Sequence, residues 1–236
     1  MTGTIVNAAA VVAGGLIGLM VKKSIKQSLS DTCMRVIGLA TLLIGISNAL
    51  SYMLSIDDSG KISADGGLLL LISIIVGTVI GELLNIEGFI MRISAFAERK
   101  LKMNGFANGL VTSSLLFCVG AMAIVGAFND GLNNDPSMLF IKSAMDGVSA
   151  VFLASSLGVG VLFSCIPLLL YQGSLTLCAG MLAPVLTGDM LSGMCMVGFV
   201  MIIAISLNLM NVTKFKTANM LPSLIVVVLL KLLPWF

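Results

Sequence analysis

Residues 67–84 read GLLLLISIIVGTVIGELL, and Glu82 is the one charged residue among them. A transmembrane helix needs roughly 20 predominantly apolar residues. A helix that is apolar on all sides belongs in a lipid bilayer or in the core of a large protein. The stretch therefore predicts a membrane span.

The composition of the whole chain points the same way. Of its 236 residues, 58 % are hydrophobic and 10 % are charged, whereas a soluble domain has about 25 % charged residues. This balance excludes a soluble enzyme, a disordered chain and a nucleic-acid-binding protein. We expect an all-α membrane protein with one polytopic domain over residues 1–236, because helices satisfy their own backbone hydrogen bonds in lipid.

Seven further stretches resemble residues 67–84 in length and composition. The eight predicted spans are Thr4–Val21, Met34–Leu54, Gly67–Leu84, Phe106–Phe128, Leu139–Phe163, Ile166–Leu182, Met190–Met210 and Met220–Trp235. The boundary at residues 164–167 is ambiguous, because Pro167 can either begin a helix or kink one. With eight spans, ten of the thirteen basic residues fall on one side, as the positive-inside rule requires. This count predicts separate fifth and sixth spans and both termini outside the cytoplasm.

Residues 85–104 combine charges with apolar residues at helical spacing. This pattern is typical of an amphipathic helix on the membrane surface. The alternative is a helical extension of the third span.

A weak internal similarity relates the two ends of the chain. At a shift of 160 residues, Met34, Gly38 and Asn48 match Met194, Gly198 and Asn208. The shift pairs span one with span six and span two with span seven, so the halves would have opposite orientations. We therefore predict an inverted repeat of 1–90 and 164–236 around a central helix pair, 106–163. Its first and sixth helices would be interrupted at Gly14–Gly15 and Tyr171–Ser174, as in transporter binding sites.

Carboxylates and amides are concentrated between the fourth and fifth spans. Asp130 follows Asn129 at the end of one apolar stretch, and Asp146 lies near the start of the next. Two carboxylates with neighbouring amides suit a cation or a proton. The alternative is a solvated loop in which these residues cap helices. Asp135–Pro136 reads as a turn, and Glu82 lies at the end of the third span.

Several kinds of chemistry are disfavoured. The chain has no histidine, and its five cysteines are scattered without a CxxC pair. Neither a zinc site nor a disulfide framework is expected. We expect no catalytic residues, no cofactor and no enzyme activity.

The pattern as a whole favours a secondary transporter of an ion or small solute that works by alternating access. The predicted pathway residues are Asp130, Asp146, Asn129, Gly14, Gly15, Gln172, Gly173, Ser174 and Glu82. The alternatives are a non-transporting membrane scaffold or regulator, and a passive channel. The expected partners are membrane lipid and the unknown solute, and the glycine-rich helix faces are compatible with a homodimer.

Five segments carry a family resemblance: GTIVNAAAVVAGGLIG (3–18), FCVGAMAIVGAFNDGL (117–132), DPS, KSAMDG and LLYQG. They resemble the bacterial integral membrane proteins of domain-of-unknown-function family 554, over essentially the whole chain. One departure is Ala121, where the resemblance leads us to expect proline. The resemblance implies a multi-pass protein of the bacterial cytoplasmic membrane, and it supplies no substrate or reaction.

Overall fold

The structure is a computed structural model, and it describes residues 1–22, 27–56, 62–64, 66–101, 105–118, 121–182 and 188–232. Its helices are α1 (Thr2–Lys22), α2 (Gln27–Met53), α3 (Gly67–Leu84), α4 (Ile86–Leu101), α5 (Phe106–Cys118), α6 (Ala121–Leu132), α7 (Ser137–Leu157), α8 (Gly160–Phe163), α9 (Cys165–Leu182), α10 (Gly188–Leu209) and α11 (Ser223–Lys231). A 3₁₀ turn covers Thr217–Met220. Strands β1 (Leu54–Ile56) and β2 (Ile62–Ala64) pair antiparallel. The fold is thus helical apart from this small hairpin.

Six helices of the described residues are long and apolar enough to cross a membrane, or seven if the bent pair α5–α6 is one span. The predicted eighth span, Met220–Trp235, is not among them. Pro222 precedes α11, which has nine residues and is therefore about 14 Å long, whereas the bilayer core is about 30 Å thick. Residues 233–236 lie outside the described part. The described residues therefore contain six or seven candidate membrane spans, where the sequence predicts about eight.

The predicted fourth span, Phe106–Phe128, is broken. Helix α5 ends at Cys118, α6 begins at Ala121, and the two axes differ by 61°. The break occurs without the proline that the family resemblance leads us to expect at residue 121. Residues 119–120 lie outside the described part of the chain.

The fifth and sixth spans are separate helices, but their boundary is not at residues 164–167. Helix α7 ends at Leu157 because Gly158 has a φ of 87°, which a residue with a side chain rarely adopts. Pro167 lies in the first turn of α9, where its missing N–H leaves no hydrogen bond unmade.

Residues 86–101 form a helix distinct from α3, as the amphipathic pattern predicted. Asn85 ends α3 with a left-handed φ of 48°, so α4 does not extend the third span. Phe89, Ile93 and Phe96 lie on one exposed face of α4. The position of α4 on a membrane surface stays a prediction.

The predicted interruptions at Gly14–Gly15 and Tyr171–Ser174 are wrong. Helix α1 runs unbroken from Thr2 to Lys22, and α9 runs unbroken from Cys165 to Leu182. Gly14 instead permits close packing, since a Cβ there would lie 2.1 Å from the carbonyl oxygen of Gly147. In this bundle α1 packs along α7, α2 along α10, and α3 along α11.

Candidate functional site

A buried polar group links three helices on one side of the bundle. Asp146 and Lys142 of α7 are 8 % and 7 % exposed, and their carboxylate and ammonium atoms lie 2.5 Å apart. Asn7 of α1 donates its amide to Asp146 Oδ2 at 3.0 Å and to Gln172 Oε1 of α9 at 3.3 Å. The group therefore joins one ion pair to two amides.

Local sequence explains how this group assembles. Residues four apart share one helix face, so Lys142 and Asp146 meet on α7. Gly147 follows Asp146, and α1 approaches α7 there through Gly14. This close approach places Asn7 within hydrogen-bonding distance of the ion pair.

Two buried atoms of the group remain unsatisfied. Among the described residues, Asn7 Oδ1 and Gln172 Nε2 have no hydrogen-bond partner. A buried polar atom without a partner costs about 1–3 kcal/mol. Charged residues inside a membrane segment are also expensive and are typically functional. The arrangement is thus costly for a purely structural element.

The ion pair borders a cavity of about 140 Å³. One water needs roughly 10–15 Å³ of such space, so the cavity is large enough for several waters. Its lining residues are Thr41, Ile44, Asn48, Leu116, Met122, Ala123, Lys142, Met145, Asp146, Ser149, Phe199 and Ile202. The inner cavity, as we call it, is therefore small and mostly apolar, and it contacts both charges. It is not closed, because Ile44 and Met145 of its wall are exposed.

A second cavity of about 440 Å³ lies toward the other end of the same helices. Asp31 of α2, Glu87 of α4 and Lys214 of the α10–α11 connection are among its lining residues. Burial raises the pKa of Glu87. We call this space the outer vestibule, because it lies farther from the ion pair than the inner cavity does. It lies on the side that the basic loops predict to be cytoplasmic.

The two cavities share walls. On α2 the lining passes from Met34 in the vestibule to Thr41 in the inner cavity, and on α10 it passes from Ile205 to Ile202. These steps correspond to about 10 Å and about 4.5 Å along the helix axes. On α5, Leu115 faces the vestibule and Leu116 the inner cavity. The cavities therefore lie one after the other along α2 and α10.

Asp130 lies apart from the ion pair. Its carboxylate is 3 % exposed, accepts the backbone N–H of Gly3 at 3.0 Å, and lies 3.0 Å from the α-amino group of Met1. Asp130 and Asp146 therefore contact α1 about one turn apart, each with its own partners. The described residues contain no group of three or more acidic, cysteine or histidine side chains that could hold a metal ion.

The other predicted pathway residues are dispersed. The carbonyl of Asn129 accepts the N–H groups of Asn133 and Asp135 at the end of α6. Gly15 packs against Leu162, and Gly173 is buried near Met1. The exposed Ser174 hydroxyl donates to the carbonyl of Tyr171. None of these four contacts the ion pair through a hydrogen bond in the described residues.

Glu82 belongs to a different cluster. It pairs with Lys216 and accepts the side-chain amide of Asn219. The side chain of Asn219 also accepts the N–H of Glu87 at 2.7 Å. This cluster fastens the α10–α11 connection to the corner between α3 and α4.

Two residues of the site are not among the predicted pathway residues. They are Lys142, whose ammonium group is buried against Asp146, and Asn7. In the sequence, both residues are polar side chains within long apolar stretches. Their place in the site follows only from contacts between helices that are distant in sequence.

The sequence comparison covers almost the entire described fold. Residues 2–232 match the family described as "Protein of unknown function (DUF554)". The chain belongs to this family. The segments that suggested DUF554 include α1, with Asn7, and the part of α7 that carries Lys142 and Asp146.

Two DUF554-like relatives are similar over nearly their full length. One is the "Uncharacterized membrane protein YdfK" of Bacillus subtilis (strain 168), 32 % identical over 96 % of this chain and 93 % of the relative. The other is the "Uncharacterized protein YqgA" of Escherichia coli (strain K12), 30 % identical over 94 % of this chain and 93 % of the relative. No solved structure matches the chain. This DUF554 protein is therefore a multi-pass membrane protein with bacterial relatives.

Proposed function

We propose that the protein is a secondary transporter that moves an ion or a small solute across the bacterial cytoplasmic membrane by alternating access. The observation that carries this proposal is the buried Lys142–Asp146 pair, which borders the inner cavity. A scaffold has no need of an ion pair within its apolar helices. A transporter needs charged groups at the depth where its cargo is bound.

The positions of the two cavities support the proposal that a solute can reach this pair. Thr41, Asn48 and Ser149 add polar residues to the mostly apolar inner cavity, and the outer vestibule lies along the same helices, α2, α5, α7 and α10. In lipid, such polar surface is stable where it lines a water-filled space. Alternating access would open the inner cavity to one side of the membrane at a time.

Two breaks in the helices offer places for this motion. Helices α5 and α6 meet at their 61° bend between Leu116 and Met122, which both line the inner cavity. Gly158, with its positive φ, follows Leu157 of the vestibule wall. Hinges of transporters absorb backbone rotation at such element ends.

The inverted repeat remains part of the proposal. Its predicted equivalents α2 and α10 pack against each other, and so do α1 and α9. Mutual packing of equivalent elements is expected around a two-fold axis in the membrane plane. An N-terminus outside the cytoplasm is the orientation that the basic residues favour.

Flux measurements with a cavity-filling variant test the proposal. Purified protein in proteoliposomes would be given gradients of protons, alkali cations, small anions and amino acids. Ser149→Phe fills the inner cavity, so flux of the transported species should fall at least tenfold. Val148→Phe is a matched control, because Val148 is 60 % exposed on the outside of the same helix.

Retained flux in Val148→Phe and lost flux in a folded Ser149→Phe protein would support transport through the inner cavity. Wild-type vesicles that stay impermeable to the whole panel would contradict the proposal and favour a scaffold. Flux that neither saturates nor depends on a second gradient would indicate a passive channel.

A further inference from the structure

One face of helix α4 is left uncovered by the rest of the described chain. The side chains of Phe89, Ile93 and Phe96 on this face are 62 %, 56 % and 67 % exposed. Exposed basic side chains fall on the same face, because residues three and four apart are neighbours on a helix surface. We call this surface the open face of α4, and its residues are Phe89, Arg92, Ile93, Phe96, Arg99 and Lys100.

The opposite face of α4 is tied to the bundle near both ends of the helix. Near the first end, the Glu87 carboxylate accepts the N–H of Ala218 at 3.2 Å. Near the other end, the Glu98 carboxylate accepts the N–H groups of Gly105 and Ala107, each at 3.0 Å. These contacts fix the rotation of α4 about its own axis, so the direction of the open face is set by the structure.

The open face is positively charged. Both acidic residues of α4 are engaged on the other side by backbone N–H groups. Arg92, Arg99 and Lys100 are exposed, and none of them has an ion-pair partner among the described residues. The helix dipole favours cations in the last turn, which holds Arg99 and Lys100, but it does not explain Arg92 in the middle of the helix. A negatively charged partner fits all three positions.

The open face also adjoins a membrane span. Leu83 and Leu84, in the last turn of α3, are 82 % and 66 % exposed, and α3 is long and apolar enough to cross a bilayer. Asn85 alone separates α3 from α4. The partner of the open face must therefore offer negative charge beside an apolar layer at the end of a span. The surface of a bilayer with anionic phospholipids has this chemistry.

We infer that the open face of α4 docks on the anionic phospholipids of the leaflet that adjoins it, on the side that the basic loops predict to be cytoplasmic. The aromatic and isoleucine side chains enter the boundary between headgroups and acyl chains, and the basic side chains contact lipid phosphates. This inference goes beyond the proposed transport and does not depend on it. Because Glu87 and Met91 of α4 line the outer vestibule, the lipid surface supports one wall of that cavity.

Quenching of a single tryptophan by brominated lipids tests the inference in the full-length protein. Trp235→Phe first removes the one native tryptophan. Phe96→Trp then reports on the open face, and Leu177→Trp is the matched control, because Leu177 is 72 % exposed on α9, which has no charged residue. Both proteins would be placed in nanodiscs of mixed phosphatidylglycerol and phosphatidylcholine, with one or the other lipid brominated on its acyl chains.

We expect the ratio of quenching by phosphatidylglycerol to quenching by phosphatidylcholine to be about twofold higher or more for Phe96→Trp than for the control, since cations attract anionic lipid. Adding Arg92→Gln, Arg99→Gln and Lys100→Gln together should lower the ratio to the control value. Lys231→Gln, at the end of α11, removes a positive charge away from α4 and should leave the ratio unchanged.

Three results would overturn the inference. Equal ratios at the two reporter positions would mean that the open face has no preference for anionic lipid. Absence of quenching by either lipid at the open face, with normal quenching in the control, would mean that another protein surface covers it. A ratio that persists in about 1 M NaCl, where the screening length is roughly 3 Å, would exclude an electrostatic origin without any charge substitution. These measurements involve no flux, so their outcome is separate from that of the transport proposal.

Discussion

The backbone N–H of Gly3 donates to Asp130 Oδ2 at 3.0 Å, across 127 residues of sequence. A carboxylate at the C-terminal end of its own helix, α6, opposes the helix dipole. The same carboxylate at the N-terminus of α1 is favourable, because it accepts a helix N–H that has no partner within α1. Asp130 thus fixes the start of α1, the helix that carries Asn7.

Removing this cap should loosen α1. We expect Asp130→Ala to lower the free energy of unfolding by about 1–3 kcal/mol, since a buried N–H loses its acceptor. Asp130→Asn should cost less, because its amide oxygen can still accept. Thermal unfolding in detergent measures both. Asn133→Ala, in the exposed α6–α7 turn, serves as the comparison, and an equal loss in the comparison variant would argue against a specific role of Asp130.

Gly14 should tolerate no side chain. Gly14→Ala places a Cβ within 2.1 Å of the Gly147 backbone oxygen, and such overpacking typically costs about 1–3 kcal/mol. Gly180→Ala is the matched control on α9, where a Cβ has no neighbour within 4 Å. Alanine is the better helix former, so this control should unfold at the same or a higher temperature. Equal stability of the two variants would contradict the close packing of α1 on α7.

Asn7 should affect both stability and cargo binding. Asn7→Ala removes the amide shared by Asp146 and Gln172, and we expect a loss of about 1–3 kcal/mol. The half-saturating cargo concentration should also change, because the amide orients the Asp146 carboxylate. Asn133→Ala, on the exposed α6–α7 turn, should change neither. An unchanged half-saturation in Asn7→Ala would assign Asn7 a packing role alone.

The raised pKa of Glu87 predicts a pH-dependent effect. Burial disfavours its charged form and raises its pKa above 4.5, so this group reduces stability as pH rises from 4.5 through its folded-state pKa. Glu87→Gln removes this loss while keeping an oxygen acceptor for the N–H of Ala218. The stability of the variant relative to the wild type should therefore increase with pH over that window, as measured by thermal unfolding.

The contribution of Asp135 to stability should change with pH in the direction opposite to that of Glu87. The hydroxyl and N–H of Ser137 donate to its carboxylate and lower its pKa. This contribution to stability is present above pH 3.8 and is lost as pH falls through the folded-state pKa. Asp135→Asn should therefore be less stable than the wild type at neutral pH, with a difference that disappears in acid. A pH-independent difference would contradict this assignment.

The sequence predicted the local features of this molecule better than its contacts. Apolar stretches such as residues 67–84 indicate membrane helices through their composition alone. The prediction of a helical membrane protein therefore needed no knowledge of contacts. Asn85 is among the residues that adopt left-handed backbone most readily, but only the structure showed that α4 starts there. Gly14 looked like a helix break because its partner, Gly147, lies 133 residues away. The Lys142–Asp146 pair followed from helix spacing, whereas its contact with Asn7 depended on how α1 docks.

The stacking of the two cavities limits the size of the motion that transport requires. Ile202 and Ile205 face different cavities although they are adjacent on one face of α10. Along α10 the residues that line the two cavities are therefore about 4.5 Å apart. Rotamer changes of the leucine and isoleucine side chains at this point, or a rotation of α5, would bring the two spaces closer together. Such a gate works by local rearrangement, and the long helices can remain in place while it opens.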